Sequence, residues 1–598
     1  MIDPIDAAVV RAGLVSAARE AFAQFQRTAM LPILYEARDF SVSIFDDRLN
    51  MVADATGVPE FVGSLSVAID AILEKFGGAA GLRRGDVLIA NESHLTGAHP
   101  PDAVLLAPAF AGDLLVGFCG MRAHIGDLGG SSTTPIDAKT MWEEGLLIPP
   151  SLLIAAGKPN EVLLGVIGAN SRQPREVTGN LRSGAAAMTR SAAKVGVIVE
   201  RYGFPTYRAA VDQLLDAAEH EARELLEEVP DGEYRATKQL ELPNGAGSVP
   251  LECLVRVEGS AVTVDVTGSA PEQPYSVNVP LPQTLAACRL AIKRLTTQDT
   301  ITANSGEHRM LSVVAPRGCV FNATAPAGCY MMANTASLLG EMIVNLISAA
   351  MPARQMAESG GNTTGFLGWM PDGGRNGGGV DVDDLAGIGY GATPERDGMN
   401  ALLYFGLAGM EVASGEVIET RARIVKRRIE LVPDSGGAGR RRGGLGSLAE
   451  WEIERPMTMM AQAQKTEDIG GLGLAGGMAA GGRNDVVLDP GTPGERSLAM
   501  TSDTEVAAGT RIVINGAGGG GYGDPFEREI EAVAADVADG YVSTECAAEL
   551  YGVVVSADTG VVDLEATAAL RRSRTDRNGG DGDELHSSQG QPSMERID

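Results

Sequence analysis

GAHPPDAVLLAPAFAGDLLVGFCGMRAHIGD, residues 97–127, carries two of the chain's six histidines, each with an aspartate three residues on. These pairs are His99 with Asp102 and His124 with Asp127. The apolar runs AVLLAPAFA and LLVGFCGMRA flank Gly112-Asp113, a pair suited to a two-residue turn, so the stretch reads as a β-hairpin. If Ala111 pairs with Leu114, Asp102 falls opposite Ala123, and His124 is one step further along. His99, Asp102 and His124 then gather at the open end of the hairpin, where cross-strand neighbours lie about 5 Å apart. Pro100-Pro101 stiffens the entry and lowers the entropy lost on fixing His99 beside Asp102. Imidazole and carboxylate together suit zinc, manganese or iron rather than calcium or magnesium. Three protein ligands leave positions open for water or substrate, the arrangement of a catalytic site. The same residues also suit a polar loop held by ordinary hydrogen bonds. His94 suits a pocket wall better than a ligand, and His220, His308 and His586 lack comparable company.

Outward from the hairpin, the periodicity predicts a helix over residues 5–29 and two strands around a turn at Asp46-Asp47-Arg48. A helix over 63–75 and a buried strand GDVLIANE follow. Long helices are expected at 182–201 and 206–228, with Pro230-Asp231-Gly232 as a boundary. Strands dominate from Gly232, interrupted by helices at 283–297 and 336–350. Residues 359–399, rich in glycine and aspartate, read as loops with a short helix or two. Strands return over 420–515. Two short helices close the chain, with Ser543 as an N-cap and Gly540 and Gly552 as stops. From about residue 568 the chain is polar and nearly devoid of large apolar side chains, the composition of a disordered tail.

The fold class expected is α/β in the mixed α+β sense, built of several layers of mixed sheets. An N-terminal metal-site domain would span 1–230 and a strand-rich domain 231–525. A helical segment (526–567) and the tail (568–598) would follow. A net charge of −29 argues against nucleic acid and anionic membrane as partners. The six cysteines show no C-x-x-C pair, and the N-terminus lacks the basic and apolar regions of a signal peptide. The most apolar long segment, ASLLGEMIVNLISAAM, carries Glu341 and Asn345 and is short for a membrane span. A cytoplasmic location is expected.

NESHLTGAHPPD and RAHIGDLGG resemble the N-D-P-Y-x-G-G-T-H-x-P-D and R-A-H-H-x-D-I-G-G blocks of the hydantoinase B family. The resemblance continues through EARDFSVSIFD (36–46), EEGLLIPPSLL (143–153), VDVTGSAP (264–271) and NSGEHRMLSVVAPRGCVFNATAPA (304–327). PDSGGAGRRRGGLG (433–446), GLAGG (473–477) and GGGGYGDP (518–525) complete it, in order along nearly the whole chain. That resemblance implies one divalent ion, manganese or zinc, held by His99, Asp102 and His124. Asp39 becomes a fourth candidate ligand, because the family carries an acidic residue there. Glu92 stands where the family usually has aspartate, and His94 where tyrosine is common, so the substrate pocket is expected to differ.

The family works with a larger hydantoinase A-type subunit that binds ATP and activates the substrate oxygen by phosphorylation. The resemblance therefore implies one half of an ATP-dependent cyclic amidase, an (αβ)2 hetero-oligomer opening a small hydantoin, oxoproline or lactam ring. In that chemistry Asp127 or Glu92 would shuttle a proton, and Arg122 would hold a phosphate or bicarbonate, although an arginine at a strand end is more often paired structurally. ATP would lie on the partner: GAGGGGYGD is followed by no Gly-Lys-Ser/Thr and reads as tight turns. A component of a ketone carboxylase of the same family is the second expectation. A non-catalytic scaffold without bound metal is the third.

Overall fold

The computed structural model describes residues 3–296, 303–464, 470–557, 559–578 and 595–597. Its N-terminal half is organised by a seven-stranded antiparallel sheet. The strands are β1 (Phe40–Asp46), β2 (Met51–Thr56), β3 (Val87–Ala90), β4 (Asp102–Ala111), β5 (Leu114–His124), β6 (Ser151–Ala155) and β7 (Lys158–Pro159). Their spatial order is β2-β1-β5-β4-β3-β6-β7, so the hairpin of the opening stretch lies at the sheet's centre. Both of its faces are covered, which explains its nearly continuous apolar run. Ala103, Leu105, Ala107 and Met121 face the long helices Pro4–Thr28, Pro174–Tyr202 and Phe204–Leu226. Val104, Leu106 and Phe118 face the other way, under the helix Pro59–Phe76. Asp102 and Arg122 share the parity of this second set, so their side chains are buried beneath that helix.

The register differs from the regular hairpin by one residue. Ala111 pairs with Leu114 and Phe110 with Leu115, but Ala109 pairs with Gly117, leaving Val116 as a β-bulge. Every pair beyond it moves by one, and Asp102 comes directly opposite His124 rather than Ala123. Gly117 is what β1 permits at this point: a Cβ there would lie 2.1 Å from the Phe45 carbonyl oxygen.

The second half holds three more sheets. Strands Gly232–Glu241, Ser248–Glu258, Ala261–Asp265 and Leu311–Val314 form one with Glu595–Ile597. Helices Leu281–Thr296 and Met332–Ala349 pack in its apolar core. The other two sheets share a core around Phe366 and Trp451. The stretch read as loops, 359–399, contains two paired strands of that core, Thr364–Met370 and Val380–Ala386. The result is a mixed α+β fold with several sheets, as the sequence led us to expect.

The tail reading is corrected in part. A helix runs Leu564–Asn578, across the point where disorder was expected to begin; residues 579–594 and Asp598 lie outside the described residues. Polar contacts hold this helix, which is why the scarcity of apolar side chains misled. Thr567 Oγ accepts from the Val554 N–H at 3.0 Å, and Arg571 donates to the Arg528 and Tyr551 carbonyls at 2.8 and 3.2 Å.

Candidate metal centre

Three side chains converge at the open end of the hairpin. His99 Nε2 lies 2.9 Å from Asp102 Oδ1 and 3.1 Å from His124 Nδ1, and His124 Nδ1 lies 3.2 Å from Asp102 Oδ1. Ligand atoms around a tetrahedral ion with bonds near 2.1 Å sit about 3.4 Å apart, so this nearly equilateral triangle matches one face of such a shell. Two nitrogens and one carboxylate oxygen also form a donor set suited to zinc or manganese. Among the described residues this is the one cluster of histidine, cysteine and acidic groups with ligand spacing. Asp39 stands just outside it, with Oδ2 3.8 Å from His124 Nδ1. The Asp39 carbonyl accepts from the His124 N–H at 3.1 Å, extending the β1–β5 ladder and fixing the two residues together.

The electrostatics follow from burial and neighbours. Burial would raise the Asp102 carboxyl, but His99, Arg122 and His124 outweigh it and hold Asp102 well below the usual range. Burial would lower His124; the Asp102 and Asp39 carboxylates reverse that and push it up to about 9. His99 is lowered by burial, only partly opposed by Asp102. Burial raises Asp39 to about 7 against the pull of His124. His99 Nδ1 is buried without a hydrogen-bond partner among the described residues.

Arg122 occupies a different place from the one its expected role required. Its Nε and one terminal nitrogen both donate to Asp102 Oδ2, at 2.9 and 2.7 Å. The other terminal nitrogen donates to Ser64, the Gly97 carbonyl and Gln283. The guanidinium also stacks over the Phe61 ring at 3.9 Å. With all three nitrogens engaged inside the protein, Arg122 orients Asp102 and is not placed to hold a phosphate or bicarbonate. Glu92 is also displaced from its expected role: it pairs with Lys75 at 2.5 Å and lies outside the cavity beside the triad. His94 is fixed between the Ala323 and Ala327 carbonyls.

Asp127 does line that cavity, together with His124 and Tyr330, but it is bound by the Arg172 guanidinium at 2.7 Å. Two further carboxylates complete the wall, Asp381 and Asp383, alternate residues of the strand Val380–Ala386. Burial raises them to about 7 and about 6, helped by neighbouring carboxylates and opposed by His124. Neither forms a side-chain hydrogen bond or ion pair among the described residues. Asp384 points to the opposite face, where it accepts from Trp451 and pairs with Lys426. Reading 359–399 as loops missed both acids, although the V-D-V-D alternation at 380–383 is a strand signal. Glu144 was missed as well. Its carboxylate accepts from the Cys329 and Tyr330 N–H groups, and the Tyr330 ring packs 4.9 Å from the His99 ring.

Comparison with known proteins shows the family. The Hydantoinase B/oxoprolinase family model matches residues 3–525, and the chain belongs to that family. It is 31% identical over 593 residues to the beta chain of the caprolactamase of Pseudomonas jessenii, covering 95% of this chain and 99% of that one. It is 28% identical to the B-type component of a putative D-/L-hydantoinase of Pseudomonas sp. (strain NS671), covering 96% and 98%. The crystal structure of the ATP-dependent caprolactamase from Pseudomonas jessenii superposes with a TM-score of 0.87 at 28% identity, covering 96% of this chain and 100% of that one. No helix among the described residues is long and apolar enough to cross a membrane.

Proposed function

We propose that this chain is the metal-containing subunit of an ATP-dependent cyclic amidase, acting with a hydantoinase A-type subunit that binds ATP. The observation that carries the reading is the convergence of His99 Nε2, Asp102 Oδ1 and His124 Nδ1 beside a cavity walled by carboxylates. The relatives, named as parts of a caprolactamase and a hydantoinase, support the substrate class, a hydantoin or lactam ring.

An unstrained amide resists water because its nitrogen donates into the carbonyl. Phosphoryl transfer from ATP to the amide oxygen, on the partner, leaves an imidate-like carbon open to attack. A divalent ion held by His99, Asp102 and His124, with Asp39 beside them, would supply Lewis acidity to oxygen at this point. The chain's own residues do the rest. Arg122 keeps Asp102 ionised and fixes which of its oxygens faces the histidines. Asp381 and Asp383, without a hydrogen bond or ion pair to a base among the described residues, are the carboxylates available to accept a proton. Asp127, tied to Arg172, sets the shape of the wall.

The test is elemental mass spectrometry on the purified chain and on His99→Ala, followed by ATP-dependent ring-opening assays with the partner. About one divalent ion per chain, lost in the variant together with activity, is expected. A wild-type chain that stays metal-free after repurification with manganese and zinc would overturn the reading and leave a scaffold role.

A further inference from the structure

A second cavity, of about 920 Å³, opens between the helix Pro59–Phe76, the helix Leu281–Thr296 and the segment around Tyr390 and Phe405. Its volume is that of a small-molecule site. It shares no lining residue with the cavity at the metal centre. Phe22, Val62, Leu290, Leu402 and Phe405 give it an apolar floor, whereas Arg19, Arg289, Lys293, Arg294 and His308 bring five basic groups to its walls.

Buried or largely buried Arg122, Lys238, Lys426 and Arg528 are each paired with a carboxylate; among the described residues two cations here are not. Among the described residues Arg289 donates to the Gly63 carbonyl and to Ser66 Oγ alone. Arg294 donates to Met356 Sδ at 3.0 Å and lies over the Tyr390 and Phe405 rings at 5.3 and 5.7 Å. Neither has a carboxylate within ion-pair distance among the described residues. Burial consequently lowers both guanidinium pKa values. Three acids act on the region: Glu341, which bears on Arg294 from beyond ion-pair distance and pairs with Lys238 at 3.0 Å, and two nearer ones. Glu307 holds Lys293 at 2.8 Å, and Asp54 accepts from Thr56. His308 Nδ1 is shielded from water and lacks a hydrogen-bond partner among the described residues. A cavity wall with two guanidiniums that no carboxylate pairs directly among the described residues, and an unsatisfied imidazole nitrogen, is costly unless an anion occupies it.

We propose that this cavity binds an organic phosphate, its dianion held by Arg289 and Arg294 and its planar body lying against Phe22, Tyr390 and Phe405. Two guanidiniums on the walls of one cavity favour a dianion over a single carboxylate. Guanidiniums donate in the forked geometry that phosphate oxygens accept. The aromatic and aliphatic floor selects for an apolar body that inorganic phosphate lacks.

Isothermal titration of the full-length chain with phenyl phosphate tests the proposal, with inorganic phosphate and benzoate as comparisons. Saturable one-to-one binding is expected, weaker for both comparison anions. Arg289→Gln and Arg294→Gln should each weaken it at least about tenfold. His99→Ala should leave it unchanged, which separates this cavity from the metal centre. Leu290→Trp, which fills the cavity without touching its charges, should abolish binding and serves where an arginine variant fails to fold. No saturable binding at millimolar concentration, or binding unaltered in Leu290→Trp, would overturn the site. Benzoate binding as tightly as phenyl phosphate would overturn the dianion, and inorganic phosphate doing so would overturn the planar body.

Discussion

Arg122 holds a single oxygen of Asp102, Oδ2, through two donors at 2.9 and 2.7 Å, and thereby leaves Oδ1 turned toward His99 and His124. The orientation of the proposed ligand is set from behind, by a cation anchored in turn to Ser64 and Gln283 on two different helices. Arg122→Met is expected to weaken metal binding about 10- to 100-fold, the usual effect of removing a group that orients a ligand. It should also destabilise the fold by about 3–5 kcal/mol, because Asp102 Oδ2 is left buried without its cation. Metal titration alongside urea unfolding separates the two effects. Unchanged metal affinity in a folded variant would refute the positioning role.

Asp381 and Asp383 face the same cavity as His124 without a basic partner among the described residues. Asp381→Asn and Asp383→Asn keep size and polarity but remove the proton-accepting group. At least one of them is expected to lower kcat about 10²- to 10⁴-fold while metal content stays at the wild-type level. Steady-state kinetics with the ATP-binding partner, paired with elemental analysis, decide this. If both variants turn over at the wild-type rate, the proton passes elsewhere.

Asp384, the next residue on that strand, faces the core and accepts a 2.7 Å hydrogen bond from Trp451 Nε1. Trp451→Phe removes the donor and leaves the buried carboxylate short of a partner. A loss of about 1–3 kcal/mol is expected in urea unfolding, with the metal centre intact. An unfolding free energy equal to the wild type would show that Lys426 alone sustains the Asp384 carboxylate.

The sequence was most informative where chemistry and local geometry coincide. His99, Asp102 and His124 flank one hairpin, so their meeting follows from a single turn. The bulge at Val116 was invisible to that reading, because it depends on how closely β1 approaches Gly117. Arg122 was expected to hold a phosphate or bicarbonate, with structural pairing as the alternative at a strand end. Its pairing with Asp102 lies within the hairpin, but Ser64 and Gln283 lie on helices far away in sequence. Asp381 and Asp383 reach the site only through the packing of a second sheet against the first. Glycine and aspartate content outweighed a short alternating pattern there, and the strand was missed.

Glu144 gives a pH dependence with a definite sign. Burial raises its carboxyl to about 8, against the backbone N–H groups of Cys329 and Tyr330, which favour the charged form. Its ordinary value is 4.5, so between about pH 4.5 and 8 the folded chain retains a proton that the unfolded chain has released. The associated stability is fully present below pH 4.5 and is lost as pH rises through the folded value. Glu144→Gln accepts the same two N–H groups and cannot ionise. It should match the wild type near pH 5 and exceed it increasingly up to pH 8. Urea midpoints across that range would show this, and a constant difference at every pH would sink the assignment.

Gly117 couples the register of the hairpin to the proposed ligand set. A Cβ at this position would lie 2.1 Å from the Phe45 carbonyl oxygen, against backbone that has no room to give. Gly117→Ala must therefore push β5 away from β1. The two strands run paired from Asp46 and Gly117 to Phe40 and Ala123, and the Asp39 carbonyl continues the ladder to the His124 N–H. Strain introduced at one end is carried along that ladder to the end where His124 meets Asp102 and Asp39. A loss of about 1–3 kcal/mol is expected from overpacking, together with weaker metal binding. Elemental analysis and thermal melting of the same preparation read both. A destabilised variant that keeps full metal affinity would mean that the triad forms independently of the β1–β5 pairing.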